Sequence, residues 1–192
     1  MTDGPLRPIL IILPDGFADW ETPLIAAAAP EFCGVTVRHA TPGGGSARSI
    51  GGLTVSDLPE IEIRNDEVIV LCGSDIWTGD NAPDLSDLLR QARDNGQPIA
   101  GICAATLALG RAGLLADVAH TSNSAAFVDY YLPGYAGRAR YVDQPRALAD
   151  GGIITAPGSA PVSFAAEVLR AAGVPEATLS QIVGMVSAEH SR

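Results

Sequence analysis

The sequence predicts an α/β fold, a three-layer sandwich with a mostly parallel central sheet and helices on both faces. Short apolar, β-branched runs alternate with Ala- and Leu-rich stretches of helical periodicity along the 192 residues. Parallel neighbours of this kind need crossover connections, usually helices, and the helices then cover both sheet faces. A third observation is local. At Ile99–Ile102 an apolar strand turns into a small-residue helix over only a residue or two, with Cys103 at the corner.

The first expected strand is Leu6–Leu13, followed by a helix over Trp20–Ala29 that Pro30 stops. Gly34–Ala40 reads as a second strand, and Gly43-Gly44-Gly45 with Ser46–Gly52 as a flexible loop before a small strand at Leu53–Ser56. Glu67–Cys72 is a buried strand ending at Gly73. Pro83–Asn95 is a helix with Leu85, Leu88, Leu89 and Ala92 on one face and Gly96 behind it. After Ile99–Ile102 comes a helix over Thr106–Gly110. Val118–Thr121 reads as a strand, Ser124–Tyr131 as a short helix, and Arg138–Val142, Arg146–Ala149 and Gly152–Ala156 as short strands. Helices over Ser163–Ala172 and Ala177–Ala188 close the chain.

Composition bounds the setting. The chain, 47% hydrophobic and 18% charged, is long enough for one well-buried domain over residues 1–192 and short for two. Its net charge of −10 argues against a nucleic-acid partner, whose binding is built from Lys and Arg. No apolar run reaches membrane-spanning length, and Met1–Arg7 lacks the features of a signal peptide. A cytoplasmic location with no membrane partner is the expectation. The three cysteines, Cys33, Cys72 and Cys103, match neither a disulfide framework nor a zinc site, and no metal or cofactor is expected.

Ligands of such sheets bind at the carboxyl ends of the strands, where the loops after Leu13, after Cys72 and at Cys103 should converge. A nucleophile in a strand-to-helix elbow crowds the backbone, so the positions two before and two after must be small. Here they are Gly101 and Ala105. The helix start favours a thiolate at Cys103; the spacing equally fits a small cysteine buried under the helix. Glu21 lies near the start of the first helix, where the helix dipole by itself accounts for a carboxylate. If Phe17 and Trp20 shield it, desolvation raises its pKa and lets it share a proton with the thiol.

These segments together resemble the ThiJ/PfpI superfamily, the flavodoxin-like branch of the class I glutamine amidotransferase-like proteins. The matching pieces, in order, are Gly16-Phe17-Ala18-Asp19-Trp20-Glu21, Val70-Leu71-Cys72-Gly73-Ser74, Ala100-Gly101-Ile102-Cys103-Ala104-Ala105-Thr106, Gly113-Leu114-Leu115 and Gly151–Ser159. The resemblance implies that Cys103 is the nucleophile and that Glu21 is the carboxylic acid hydrogen-bonded to it. It also implies an oxyanion and substrate site of backbone N–H groups around Gly73, Ser74 and Ala104. A homodimer and a small-molecule substrate follow from the same resemblance, with Tyr130-Tyr131-Leu132-Pro133 one candidate contact surface.

Two departures stand out. Cys72-Gly73-Ser74 replaces the Pro-Gly-Gly of many members and puts a second thiol near the site, either a buried hydrophobe or a disulfide partner of Cys103. Relatives carry a Thr-Thr-His or similar triplet where this chain has His120-Thr121-Ser122-Asn123. Aligning threonine on threonine places Asn123 at the histidine position and His120 three residues earlier, so either faces the thiol. His39 and His190 are expected to be solvated or structural. The function expected is cysteine-dependent hydrolase, amidase, glyoxalase or hydratase chemistry on a small electrophile, with Cys103, Glu21 and His120 the catalytic candidates and Gly73, Ser74, Ala104 and Asn123 the oxyanion and substrate-binding candidates. The alternative is an oxidation-sensing stress protein in which Cys103 becomes sulfinic acid without turnover.

Overall fold

A computed structural model describes residues 5–188; His190 lies outside them. One sheet of six strands runs β2-β1-β5-β6-β8-β7 across the molecule, parallel except for β7 at one edge. The strands are β1 (Ile9–Ile12), β2 (Val37–Ala40), β5 (Val68–Leu71), β6 (Ile99–Ile102), β7 (Leu148–Asp150) and β8 (Ile153–Ala156). Every residue of β1, β5, β6 and β8 is buried, the pattern of parallel strands covered on both faces.

Two apolar cores sandwich the sheet, as predicted. On one face α1 (Pro23–Cys33), α5 (Pro161–Ala171) and α6 (Glu176–Ser187) pack over Ile9, Ile11, Val68, Val70 and Ile102. On the other, α2 (Ser86–Asp94) and α3 (Ala105–Arg111) cover Leu10, Ile12, Ile69, Leu71 and Ile99. A sixth helix, the short α4 (Ala125–Tyr131), follows the segment that carries Asn123.

Four local expectations are corrected. The first helix begins at Pro23 and runs through Pro30 to Cys33. Proline at the first helical turn loses no bond, because N–H groups there have no helical partner, and Gly34 in the left-handed region closes the helix instead. The glycine-rich loop contains β3 (Gly45–Arg48), paired antiparallel with β4 (Thr54–Leu58) in a separate hairpin. Val118–Thr121 is not a strand; its one ladder contact is a bridge between His120 and Tyr141. Arg138–Arg140 is a turn of 3-10 helix, so the strand expected over Arg138–Val142 reduces to that same bridge.

The hairpin holds the loop that leaves β1. Gly16 N–H donates to Arg48 O at 2.7 Å, Arg48 N–H to Asp15 Oδ1 at 2.9 Å, and Gly51 N–H to Asp19 Oδ2 at 2.7 Å. The segment between these anchors and α1 carries Trp20 and Glu21.

Candidate active site

Four strand ends converge on one sulfur. β6 ends at Ile102, and Cys103 follows with φ +58°, a left-handed backbone that non-glycine residues rarely take and that clusters at functional sites. Its N–H donates to Ala156 O at the end of β8 at 2.9 Å, and α3 starts two residues on. The small neighbours are required by space. A Cβ at Gly101 would stand 2.9 Å from Leu109 Cδ1 and 3.3 Å from Ala105 O.

Glu21 is fully buried and precedes α1, whose first turn holds no acidic residue. The dipole account of this carboxyl is therefore corrected: Glu21 points into the sheet end. Its Oε2 accepts the Gly73 N–H at 2.6 Å, and the Cys72 thiol lies 3.7 Å from the same oxygen. Oε1 is buried with no hydrogen-bond partner, and the Cys103 thiol neighbours the carboxyl. Burial pushes the Glu21 carboxyl above the ordinary glutamate value, the bond from Gly73 acting against that. Phe17 is buried, whereas Trp20, expected as a shield, is 53% exposed.

Cys103 is half-buried. Burial, and next the neighbouring Glu21 charge, push its thiol up to about 11, against the N–H bonds from Asn123 and Ala104. The lowered thiol expected from a helix start is thus outweighed by desolvation and by the carboxylate while that group is ionised. Two glycines make the contact between the side chains possible. A Cβ at Gly73 would lie 2.5 Å from Glu21 Oε2 and 2.8 Å from Cys103 Cβ; one at Gly158 would lie 2.9 Å from Cys103 Sγ and 3.2 Å from Glu21 Oε1.

The other sequence candidates sort by position. Asn123 Nδ2 donates to Cys103 Sγ at 3.2 Å, while its Oδ1 accepts the Gly158 N–H at 2.9 Å. His120 is not brought to the thiol. It is fully buried, with Nδ1 against Val118 O and Nε2 against the Tyr135 hydroxyl, both at 3.0 Å, and Tyr135 and Tyr141 edge-on to its ring. Burial lowers its pKa, against the bond to Val118 O. The Gly73 N–H, an oxyanion candidate, is taken by Glu21. Ser74 caps the following turn: its hydroxyl donates to Asp15 O at 2.6 Å and accepts the Ile76 N–H.

Cys72 is a buried free thiol beside Ala18 O, and burial followed by the Glu21 charge pushes its pKa far up. It makes no disulfide with Cys103. Sequence reasoning missed Gly158, whose signal was the Pro157-Gly158 pair at the end of an apolar strand. It also missed Thr106, whose hydroxyl donates to Cys103 O at 2.7 Å and pairs with Ser122 Oγ at 2.7 Å.

The DJ-1/PfpI family profile matches residues 7–171. The chain belongs to the DJ-1/PfpI family. It is 30% identical over 167 residues to the uncharacterized protease YdeA of Bacillus subtilis (strain 168), covering 86% of this chain and 83% of that one. A second protein of that organism, the uncharacterized protease YoaZ, is 34% identical over 125 residues; the match covers 64% of this chain and spans 59% of the relative's length. Among solved structures, the DJ-1 superfamily protein Atu0886 from Agrobacterium tumefaciens superposes with a TM-score of 0.89 at 44% identity, over 97% of this chain and all of that one (100%). The thiJ/pfpI family protein from Bacillus anthracis superposes with a TM-score of 0.84 at 25% identity, over 95% and 91% of the two chains.

Proposed function

We propose that this DJ-1/PfpI family chain is a cysteine-dependent enzyme acting on a small electrophile, with Cys103 the nucleophile and Glu21 the proton carrier. The observation that carries it is the buried Glu21 carboxyl beside the Cys103 thiol, its Oε1 without a hydrogen-bond partner. An ionised oxygen buried without a donor is costly. A proton on Oε1 removes that cost and gives a donor to sulfur, which already accepts N–H bonds from Asn123 and Ala104. With the carboxyl neutral, the charge that raises the thiol is gone. In this reading the pair shares one proton: the Cys103 thiol passes it to Oε1, the thiolate Sγ bonds the electrophilic carbon as that carbon's π bond opens, and Oε1 returns the same proton to the adduct, while negative charge developing on the substrate faces the N–H groups of Ala104 and Ser74.

Peptidase chemistry, which the names of the Bacillus relatives suggest, fits less well, because the imidazole that would serve a triad is engaged by Val118 and Tyr135. A homodimer belongs to this reading, with the exposed Tyr130 a candidate contact. No described helix is long and apolar enough to cross a membrane.

A second reading rests on the same pair: peroxide oxidises Cys103 to a sulfinate that accepts the Glu21 proton as a hydrogen bond, without turnover. Steady-state assays with a 2-oxoaldehyde such as methylglyoxal and with an isocyanide, in the parent and in Cys103→Ser, decide between them. Turnover that Cys103→Ser abolishes supports the enzyme. Absence of turnover, with Cys103 gaining two oxygens under mild peroxide, supports the sensor.

A further inference from the structure

The Asn123 side chain bridges two strand ends, and its orientation is dictated by chemistry. The Gly158 N–H can only donate, so only the amide oxygen can face it, at 2.9 Å. The NH2 group is thereby turned to Cys103 Sγ, 3.2 Å away, where it donates and cannot accept. The Gly158 residue is held through its next peptide unit as well: its carbonyl accepts the Trp20 indole N–H at 2.9 Å, across 138 residues of sequence. Trp20 is the residue next to Glu21. The two bonds fall on the two peptide units that flank the Gly158 Cα, so the indole fixes the place of the residue whose N–H holds Asn123, and Asn123 in turn reaches the sulfur.

We propose that Asn123 is a catalytic residue that holds the Cys103 sulfur in its electron-rich form, and that Trp20 is a positioning residue that sets Asn123 by fixing the Gly158 backbone. The inference rests on the proposed function in taking Cys103 as the nucleophile. A carboxamide has no proton to exchange in the working pH range, so it stabilises charge on sulfur without being able to take the thiol proton; that task stays with Glu21. Among the described residues Glu21 is the only charged group that acts on Cys103, and the Cys72 thiol lies 3.7 Å from Glu21 Oε2. The pH response of the sulfur is therefore set by Glu21, Asn123 and the Ala104 N–H. The arrangement also explains an indole held at the surface: its N–H is engaged while its ring is 53% exposed.

The test is the pH profile of Cys103 alkylation by iodoacetamide, followed by peptide mass mapping, in the parent, Asn123→Asp, Asn123→Ala, Trp20→Phe and the Trp20→Phe/Asn123→Ala double variant. Asn123→Asp keeps the acceptor for Gly158 and puts an anionic oxygen against the sulfur. Its midpoint moves up by about one pH unit or more, and the rate near neutral pH falls about tenfold. Asn123→Ala moves it in the same direction by less. Trp20→Phe keeps the ring, loses the N–H, and shifts the midpoint upward by several tenths of a unit; it adds little to Asn123→Ala, since Trp20 acts through Asn123. Melting temperatures measured alongside separate these shifts from loss of structure, which would lower the melting temperature without moving the midpoint. If Asn123→Asp does not fold, Asn123→Ala carries the same comparison. Asn123 variants with the parent midpoint overturn the assignment of Asn123. A Trp20→Phe profile that coincides with the parent, or that adds in full to Asn123→Ala, overturns the role of Trp20. A parent Cys103 no more reactive than Cys72 at any pH overturns the nucleophile, and this inference with it.

Discussion

Glu21 Oε2 accepts the Gly73 N–H at 2.6 Å, and that bond joins the loop after β1 to the end of β5 on opposite sides of the point where the strand order reverses. It commits one carboxyl oxygen to the backbone and leaves the other without a partner, near the thiol. The site is thereby assembled from residues far apart in sequence, at the sheet position where α/β proteins place ligands.

Replacing Glu21 with Gln preserves this acceptor and removes the proton carrier. Turnover on a small electrophile falls about 10²-fold or more, while the melting temperature moves by no more than about 2–4 °C, the equivalent of about 1 kcal/mol. Comparing kcat with thermal unfolding checks both halves. Loss of fold in step with activity would return Glu21 to a structural role.

A methyl group at position 158 tests the contact from its open side. The Cβ of Gly158→Ala would stand 2.9 Å from Cys103 Sγ, nearer than real side chains approach, and 3.2 Å from Glu21 Oε1, so the thiol–carboxyl arrangement must shift. Turnover drops at least about tenfold with a stability change of about 1–3 kcal/mol. Parent-like kcat in Gly158→Ala would show that the sulfur does not need its present place.

The protonation of Glu21 has a thermodynamic signature. Its folded-state pKa lies above the ordinary value, so the fold favours the neutral form. That contribution is fully present below pH 4.5, the ordinary value, and is lost as pH rises through the raised folded value. In a Cys103→Ser background, which removes the coupled thiol, the stability of the Glu21 protein relative to its Glu21→Gln counterpart therefore declines from pH 4.5 upward. Thermal unfolding across that range measures it; a constant difference would mean that Glu21 titrates as it does in the unfolded chain.

His120 is predicted to matter for the fold and not for the chemistry. His120→Ala loses a buried imidazole, its bonds to Val118 and Tyr135 and its contacts with two tyrosine rings, at a cost of about 2–4 kcal/mol. Cys103 alkylation in the still-folded fraction stays at the parent rate. A triad base would be worth about 10²-fold or more, so a loss of that size would restore His120 to the site.

The central strands β1, β5, β6 and β8 were legible because each is an uninterrupted apolar run, which only a sheet covered on both faces requires. The elbow at Cys103 was legible from Gly101 and Ala105, since crowding leaves a trace in residue size. Val118–Thr121 misled because its residues are buried by loops that dock on them and not by a ladder. Pro30 misled because the αL glycine after Cys33 ends the helix more strongly than an internal proline does. Glu21 carried no local signal beyond its closeness to a helix start; its burial depends on Gly73, some fifty residues away, as the 52-residue separation of the bond shows. Gly158 was silent because it acts by what it lacks. The place of Asn123 at the sulfur depends on the loop path after α3, which no periodicity encodes.

The most direct test of Cys103 as nucleophile is its alkylation rate in the folded parent protein at near-neutral pH, resolved from those of Cys33 and Cys72 by peptide mass mapping. Cys103 is predicted to react fastest of the three, with Cys72, which is fully buried, protected until the protein unfolds. Equal rates for the three cysteines, or Cys33 ahead of Cys103, would contradict a thiol activated by Glu21.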